Sequence, residues 1–136
     1  MPDVDPEILD RIRSICLGLP ETYEEPAWIG VRWRVRTKTF AHLVTLEPGR
    51  GGAFEAAASA DQENTIVTFR APADELDAIA HAGSPYFFAG WGRDVVGMVL
   101  DQDSDWDEVA EVLTESFCVM APAKLIARVD RPSGTA

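Results

Sequence analysis

The stretch "VRWRVRTKTFAHLVTL", residues 31–46, decides the fold of this chain. Its first half alternates strictly between apolar or small residues and basic ones, the latter being Arg32, Arg34, Arg36 and Lys38. A period of two places alternate side chains on opposite faces of a strand, so the pattern indicates a half-buried antiparallel strand. Residues 39–46 predict its partner, with the turn near Thr37 and Lys38.

Helices and further strands follow on either side of this predicted hairpin. Asp5 followed by Pro6 predicts a helix start, and helical spacing of apolar residues continues to Leu19. The acidic "PETYEEP", residues 20–26, is predicted to be a loop. Further elements are expected as a mobile loop at 47–63, strands at 64–70 and 94–101, a short helix at 71–83, and a helix at 104–122 capped by Ser104.

This order predicts an α+β fold, a single domain in which an antiparallel β-sheet is packed by N- and C-terminal helices. The domain is expected to span residues 1–130, with a flexible C-terminal tail at 131–136. Cys16 and Cys118 each lie in an apolar helical pattern, so both are expected to be buried free thiols.

The charge of the chain limits its partners. Its 136 residues hold 23 acidic and 12 basic ones, a net charge of -11. A field of this sign repels nucleic-acid phosphates and anionic membranes, so any nucleic-acid role needs a local basic patch. The acidic N-terminus does not resemble a signal peptide, and no apolar run approaches the roughly 18 residues of a membrane span. We therefore expect a cytoplasmic protein with no membrane contact.

No catalytic, cofactor or metal signature is found. The glycines of "GWGRDVVG", residues 90–97, have the wrong spacing for a dinucleotide site and precede a strand rather than a helix. His42 and His81 stand alone, and the acids of residues 101–108 lack the glycine and closing glutamate of a calcium loop. The sequence therefore predicts no catalytic residues, no cofactor and no metal.

The basic strand is the strongest local signal for binding. Side chains on one strand face lie roughly 6.5–7 Å apart, comparable with successive phosphates along a nucleic-acid strand. Two interpretations remain open: an anion-binding face, or an ordinary polar sheet face whose charges acidic residues across the strands neutralise. Trp91 and Arg93 combine stacking with charge, as single-strand binders do. Tyr86, Phe87 and Phe88 are expected to lie in the core.

Three segments together resemble MmcQ/YjbR-type proteins. The first is "LPETYEEPAWIGVRWRVRTKTFAHL", residues 19–43; the second is "GSPYFFAGWGRDVVGMVLD", residues 83–101; the third is "WDEVAEVLTESFCVMAPAKLIA", residues 106–127. The resemblance covers roughly residues 7–128, nearly the whole chain.

The resemblance implies a compact α+β domain, similar to secretion chaperones or a double-wing arrangement, in a family often described as DNA-binding. Carried onto this chain, it implies a contact at Arg32, Arg34, Arg36 and Lys38, with Trp91, Arg93 and Lys124 as further candidates. It brings no catalytic residue and no cofactor.

Three functions compete on the sequence. The first is a non-enzymatic protein that binds DNA through the basic strand pair. The second is a module that binds an acidic protein or peptide and no nucleic acid. The third is a small enzyme with an unrecognised site near His42 or His81.

Overall fold

A computed structural model describes residues 5–27, 30–46, 64–72, 74–75, 78, 86–88, 95–101 and 103–129. In this part of the chain the strands are β1 Thr22–Pro26, β2 Val31–Val35, β3 Lys38–Leu46, β4 Asn64–Arg70, β5 Tyr86–Phe88 and β6 Val95–Leu100. The helices are α1 Pro6–Leu17, α2 Trp106–Met120 and α3 Ala123–Ile126.

The described strands form one antiparallel sheet in the order β1–β2–β3–β4–β6–β5. The predicted α+β class, an antiparallel sheet with helices from both ends of the chain, is therefore confirmed. The predicted loop at 47–63 and tail at 131–136 lie outside the described residues, as does most of the helix predicted at 71–83. The predicted domain boundary stays a prediction.

Side-chain caps start the two long helices. In α1 the carboxylate of Asp5 accepts a 2.9 Å hydrogen bond from the backbone N–H of Glu7, as the sequence predicts. In α2 the prediction of Ser104 as the cap is wrong, because Asp105 accepts from the N–H groups of Asp107 and Glu108. The hydroxyl of Ser104 instead accepts from the backbone N–H of Asp101 in the preceding turn.

The acidic segment predicted as a loop is strand β1, and that prediction is wrong. It pairs with β2 along its whole length, from Thr22 opposite Val35 to Pro26 opposite Val31. Acids and prolines indicate a loop in isolation, but both are tolerated in a strand at the edge of a sheet. Here Glu25 pairs with Arg32 and Arg34 of the neighbouring strand, and Glu24 pairs with Arg13 of α1.

A β-bulge in β3 sets which residues face the helices. Trp33 pairs with Ala41 but Arg34 pairs with Thr39, so Phe40 is an extra residue in β3. Phe40 and Ala41 are consequently both buried in the core, while Thr39 and His42 are only half-buried. The turn before β3 lies at Arg36 and Thr37, one residue earlier than predicted.

The helices cover one face of the sheet, which we call the inner face. α2 contacts β3 and β4, and α1 contacts β1 and α2. Phe40 meets Phe117 of α2 edge to face, with ring centroids 5.6 Å apart. Trp33 is fully buried among the same residues. Burial of each such large apolar side chain stabilises the fold by about 1.5–3 kcal/mol.

Both cysteines are free thiols, as predicted. Cys16 is fully buried in the core, and this burial raises the pKa of its thiol well above the ordinary value. Cys118 is only partly buried. Within the described part of the chain, no helix has the length and apolar character needed to cross a membrane.

Candidate nucleic-acid interface

Arg32 and Arg34 lie on the face of β2 opposite the helices, which we call the outer face. The predicted alternation is preserved at these two residues, because Trp33 between them is buried in the core. The prediction that Arg36 and Lys38 continue the same face is wrong, because β2 ends at Val35, Arg36 lies in the turn, and Lys38 of β3 pairs with the buried Val35. Opposite Arg32 stand Glu25 of β1 and His42 of β3, and these side chains share the outer face.

Glu25 binds both arginines with one carboxylate oxygen. Its Oε1 accepts from Nε of Arg32 at 2.6 Å and from Nη1 of Arg34 at 3.1 Å, and Nη2 of Arg32 also contacts it. Desolvation opposes ionisation of Glu25, but the hydrogen bonds from Arg34 and Arg32 outweigh it and lower its pKa. One negative charge is thus set against two positive charges on this surface.

The end of the hairpin carries the other two basic residues predicted there. The guanidinium of Arg36 lies 3.4 Å from Glu21, and its backbone oxygen accepts a 2.6 Å hydrogen bond from the hydroxyl of Tyr23. Arg36 has a left-handed backbone with φ of 57°, and the Tyr23 hydrogen bond helps to hold that turn. Lys38 is exposed and makes no ion pair with a described residue.

The second glutamate of β1 has a structural role on the inner face. Glu24 accepts two hydrogen bonds from Arg13 of α1, at 2.8 and 3.0 Å, and one from the indole N–H of Trp33 at 3.0 Å. The Arg13 hydrogen bond is the main cause of a lowered pKa for Glu24, against the opposing effect of partial burial. This cluster fixes β1 to both α1 and the core.

The outer face continues across the sheet from β2 to β4. In register, Arg32 pairs with His42 and His42 pairs with Thr68. Arg70 follows two residues after Thr68 and so belongs to the same face. A cleft of about 120 Å³ opens here, lined in the described part by Thr39, Phe40, Ala41, His42, Thr68, Phe69, Arg70 and Val95.

Arg70 and Thr68 were not predicted as members of this surface. Their signal was the alternation within "NTIVTFR", residues 64–70, which places both on one face of a strand. What the pattern could not give is the register that sets this face beside His42. His42, considered above as a lone imidazole, thus lies among basic and hydroxyl side chains.

Of the remaining candidates, only Lys124 lies among the described residues, and it is not on this surface. Lys124 is exposed on α3, whose Leu125 packs into the core between helices and sheet. Trp91 and Arg93 lie outside the described residues, as does His81. Tyr86 is half-buried and packs edge to face on Phe69, in line with the predicted core position. The side chains of Phe87 and Phe88 are outside the described set.

Tyr86 also marks the acidic side of the molecule. Burial is the main cause of a raised pKa of the Tyr86 hydroxyl, and a hydrogen bond with Glu108 of α2 raises that pKa further. Glu111 and Asp105 add to the same effect.

The residues that the structure describes contain no group of three His, Cys, Asp or Glu side chains able to hold a metal ion.

Fold and surface together define an α+β protein with a helix-covered sheet whose outer face carries arginines. A family model named YjbR matches residues 17–119. The chain therefore belongs to the YjbR family, as the sequence motifs indicate. A search of curated proteins gave no significant match. A search of solved structures likewise gave none.

Proposed function

We propose that the chain binds nucleic acid without catalysing a reaction, using the outer face of β2 and β3 as the contact with the phosphate backbone. One observation carries the proposal: Arg32 and Arg34 lie on one accessible face and share a single carboxylate, so the pair keeps excess positive charge. Arg36, in the turn of the hairpin, adds positive charge beside this face, whereas Lys38 stands opposite the inward-facing Val35 and does not belong to it.

The ion pairs of the arginines fit a reversible backbone contact. Arg32 and Arg34 are respectively 39% and 23% exposed, so a phosphate can reach them without unfolding the sheet. A phosphate oxygen is an acceptor of the same kind as the carboxylate of Glu25, and it can take over hydrogen bonds from the guanidinium groups. The net charge of -11 opposes this contact, so binding is expected to be weak and strongly dependent on salt.

The test is a titration of a labelled duplex with 5′-hydroxyl ends at several salt concentrations, followed by fluorescence anisotropy. The logarithm of affinity should fall linearly with the logarithm of salt concentration, by about 0.9 for each phosphate neutralised. Arg32→Ala should weaken binding and reduce that slope by about 1. Absence of binding at low salt would contradict the proposal.

Arg11→Ala is the matched control. It removes the same charge from α1, where Arg11 is exposed and lies 5.1 Å from the ring centroid of Trp106 on the helix side. We expect it to leave DNA binding nearly unchanged. An equal loss in Arg11→Ala and Arg32→Ala would mean that only the net charge matters and that the outer face is not the contact.

A second candidate is an acidic protein partner, with no nucleic-acid binding. The arginines already bind a carboxylate, the group that an acidic partner would present. In addition, β1 lies at an edge of the sheet, where Tyr23 is exposed and a further strand can pair. An affinity purification with the wild-type chain beside Arg32→Ala separates the two. A protein retained only by the wild type, from a chain that binds no DNA, would favour this candidate.

A further inference from the structure

An exposed tyrosine stands in β1, at the free edge of the sheet. Tyr23 is 39% exposed, and among the described residues only Leu17 is another large apolar side chain with so much open surface. Tyr23 pairs with Arg34 of β2 and is two residues from Glu25 along β1, so it shares their face. An aromatic ring is therefore accessible on the outer face, beside the arginines of the proposed phosphate contact.

A second pair of arginines lies on the other side of this tyrosine, where β1 begins. Glu21 binds Arg36 through Oε1 and Arg128 through Oε2, each at 3.4 Å from Nη1 of the arginine. The side chains of Arg36 and Arg128 are 47% and 59% exposed. A guanidinium has five N–H donors, and the contact with Glu21 uses one nitrogen of each, so both arginines keep donors for a phosphate.

The two arginine groups are built alike. We call Arg32 and Arg34, which share Glu25, the first arginine pair, and Arg36 and Arg128, which share Glu21, the second arginine pair. Each pair sets two positive charges against one carboxylate. Since Glu21 and Glu25 are each two residues from Tyr23, the tyrosine stands between two groups that keep excess positive charge.

The backbone at the second arginine pair is strained. Among the described residues, Glu21 and Arg36 are the two non-glycine ones with positive φ, 57° in each. The hydroxyl of Tyr23 donates its hydrogen bond to the backbone oxygen of Arg36, so the tyrosine helps to hold this conformation. An exposed ion pair contributes too little stability to account for two strained residues. Strain of this kind is concentrated at binding sites, where it holds side chains in position for a ligand.

We propose that this surface binds single-stranded nucleic acid, with an unpaired base stacked on Tyr23 and the phosphates on either side of that base held by the two arginine pairs. Single-strand binders combine an accessible aromatic ring with positive charge in this way, and the stacking is tolerant of sequence because every base has a π face. In a duplex the bases already stack on one another, so the ring gains no such contact there. The inference rests on the proposed function and names the form of nucleic acid that it binds.

The preference is tested with one unstructured DNA strand of about 15 nucleotides and the duplex that it forms with its complement, both with 5′-hydroxyl ends. Fluorescence anisotropy at several salt concentrations should show the strand binding about threefold to tenfold more tightly than the duplex. Affinity for the strand should also fall less steeply with salt, by about 0.7 rather than 0.9 per phosphate. Charge alone favours the duplex, which has the higher charge density, so tighter binding of the strand reports stacking.

Substitutions of the tyrosine separate stacking from charge. Tyr23→Leu should weaken binding of the strand about tenfold and leave binding of the duplex nearly unchanged. Tyr23→Phe is the matched control, because it keeps the ring and loses only the hydrogen bond to Arg36. It should retain most of the affinity for the strand.

The second arginine pair is tested through Arg128, which the backbone contact proposed above does not include. Arg128→Ala should weaken binding of the strand and reduce its salt slope by about 0.7 for the phosphate contact that is lost. Arg11→Ala removes the same charge from the helix side and should do neither. Equal effects of the two variants would overturn the assignment of Arg128.

Photocrosslinking of the wild-type chain checks the stacked base without any substitution. A single strand that carries iodouracil should form a crosslink that mass spectrometry locates at Tyr23. Crosslinks at other residues only would overturn the proposal, even if Tyr23→Leu binds weakly because it is unfolded.

The outcomes distinguish this inference from the function on which it rests. If the wild type binds strand and duplex equally, and Tyr23→Leu affects both alike, the backbone contact stands and the stacking inference is wrong. If the wild type binds neither form at low salt, both are wrong. Tighter binding of the strand that is lost in Tyr23→Leu and kept in Tyr23→Phe supports both.

Discussion

The hydroxyl of Ser116 in α2 donates a 2.5 Å hydrogen bond to the backbone oxygen of Phe40, the bulged residue of β3. The same hydroxyl accepts a 2.7 Å hydrogen bond from the backbone N–H of Arg70 in β4. Ser116 is fully buried. A helix side chain thus satisfies two strand groups just beyond the end of the β3–β4 ladder, and it ties the helix layer to the cleft.

We expect Ser116→Ala to destabilise the protein by about 1–3 kcal/mol, because it leaves a buried carbonyl and a buried N–H without a partner. Urea unfolding followed by circular dichroism measures the change. Thr114→Ala is the control in the same helix: its hydroxyl donates only to the carbonyl of Ala110 one turn earlier, so it should cost well under that amount. Equal losses in the two variants would mean that the bridging role of Ser116 contributes nothing special.

Among the described glycines, Gly30 is the position where a side chain fits least. Its φ is +75°, and a Cβ there would lie 2.0 Å from the backbone oxygen of Leu43 in β3. Gly30→Ala should therefore destabilise the fold by on the order of 3 kcal/mol, since backbone strain and a backbone clash act together. The measurement is again the free energy of unfolding.

Gly18→Ala is the comparison for that experiment. Gly18 follows α1 with φ of -76°, and its nearest neighbour to an added Cβ is the oxygen of Ser14 at 3.2 Å. Only a small neighbouring shift is required, so the change in stability should stay within about 1 kcal/mol. A Gly30→Ala variant as stable as Gly18→Ala would show that β2 can move away from β3 at this point.

The lowered pKa of Glu24 predicts a dependence of stability on pH. Arg13 and Trp33 bind the ionised carboxylate, so its folded-state pKa lies below the ordinary value of 4.5. The resulting stabilisation is fully present above that ordinary value and is lost as the pH falls through the lower folded-state pKa. Wild type should therefore lose its stability advantage over Glu24→Gln on acidification.

Urea unfolding of both chains at several values between about pH 6 and pH 3 checks this. Glu7→Gln serves as the control, because Glu7 is exposed in the first turn of α1 and its side chain makes no ion pair with a described residue. The free-energy difference between wild type and Glu7→Gln should vary less with pH. A constant difference between wild type and Glu24→Gln would refute the role of the Arg13 contact.

The arginine face could be predicted from sequence because alternation alone fixes it. Arg32 and Arg34 flank the buried Trp33, and a period of two requires no knowledge of neighbouring strands. The strand β1 could not be predicted in the same way, because "TYEEP" has the composition of a loop and its strand conformation shows only in its pairing with β2. Cross-strand neutralisation of the arginines was left open by the sequence, and Glu25 supplies part of it.

The cleft could not be predicted because it depends on a bulge. Strict alternation would place Phe40 and Ala41 on opposite faces, whereas both are buried in the same core. The bulge is stabilised by a hydroxyl 76 residues away, that of Ser116. No local pattern in "TFAHL" reports such a partner, so the juxtaposition of His42 and Arg70 emerges only from tertiary structure.

Glu25 controls the charge available on the outer face, and its removal tests the proposed DNA contact from the opposite direction. In Glu25→Gln, Arg32 and Arg34 lose the carboxylate that they share, so a phosphate no longer has to displace it. Affinity for duplex DNA at low salt should rise about threefold to tenfold, and its salt dependence should become steeper. Fluorescence anisotropy at several salt concentrations gives both quantities.

Glu111→Gln makes the same change of charge on the exposed side of α2, in the helix layer, and should change DNA affinity much less than Glu25→Gln. If the two variants gain equally, the net charge of the chain explains the effect and the outer face has no special role. If Glu25→Gln instead weakens binding, Glu25 is needed to hold the two guanidinium groups in place, and the contact depends on their geometry more than on their charge.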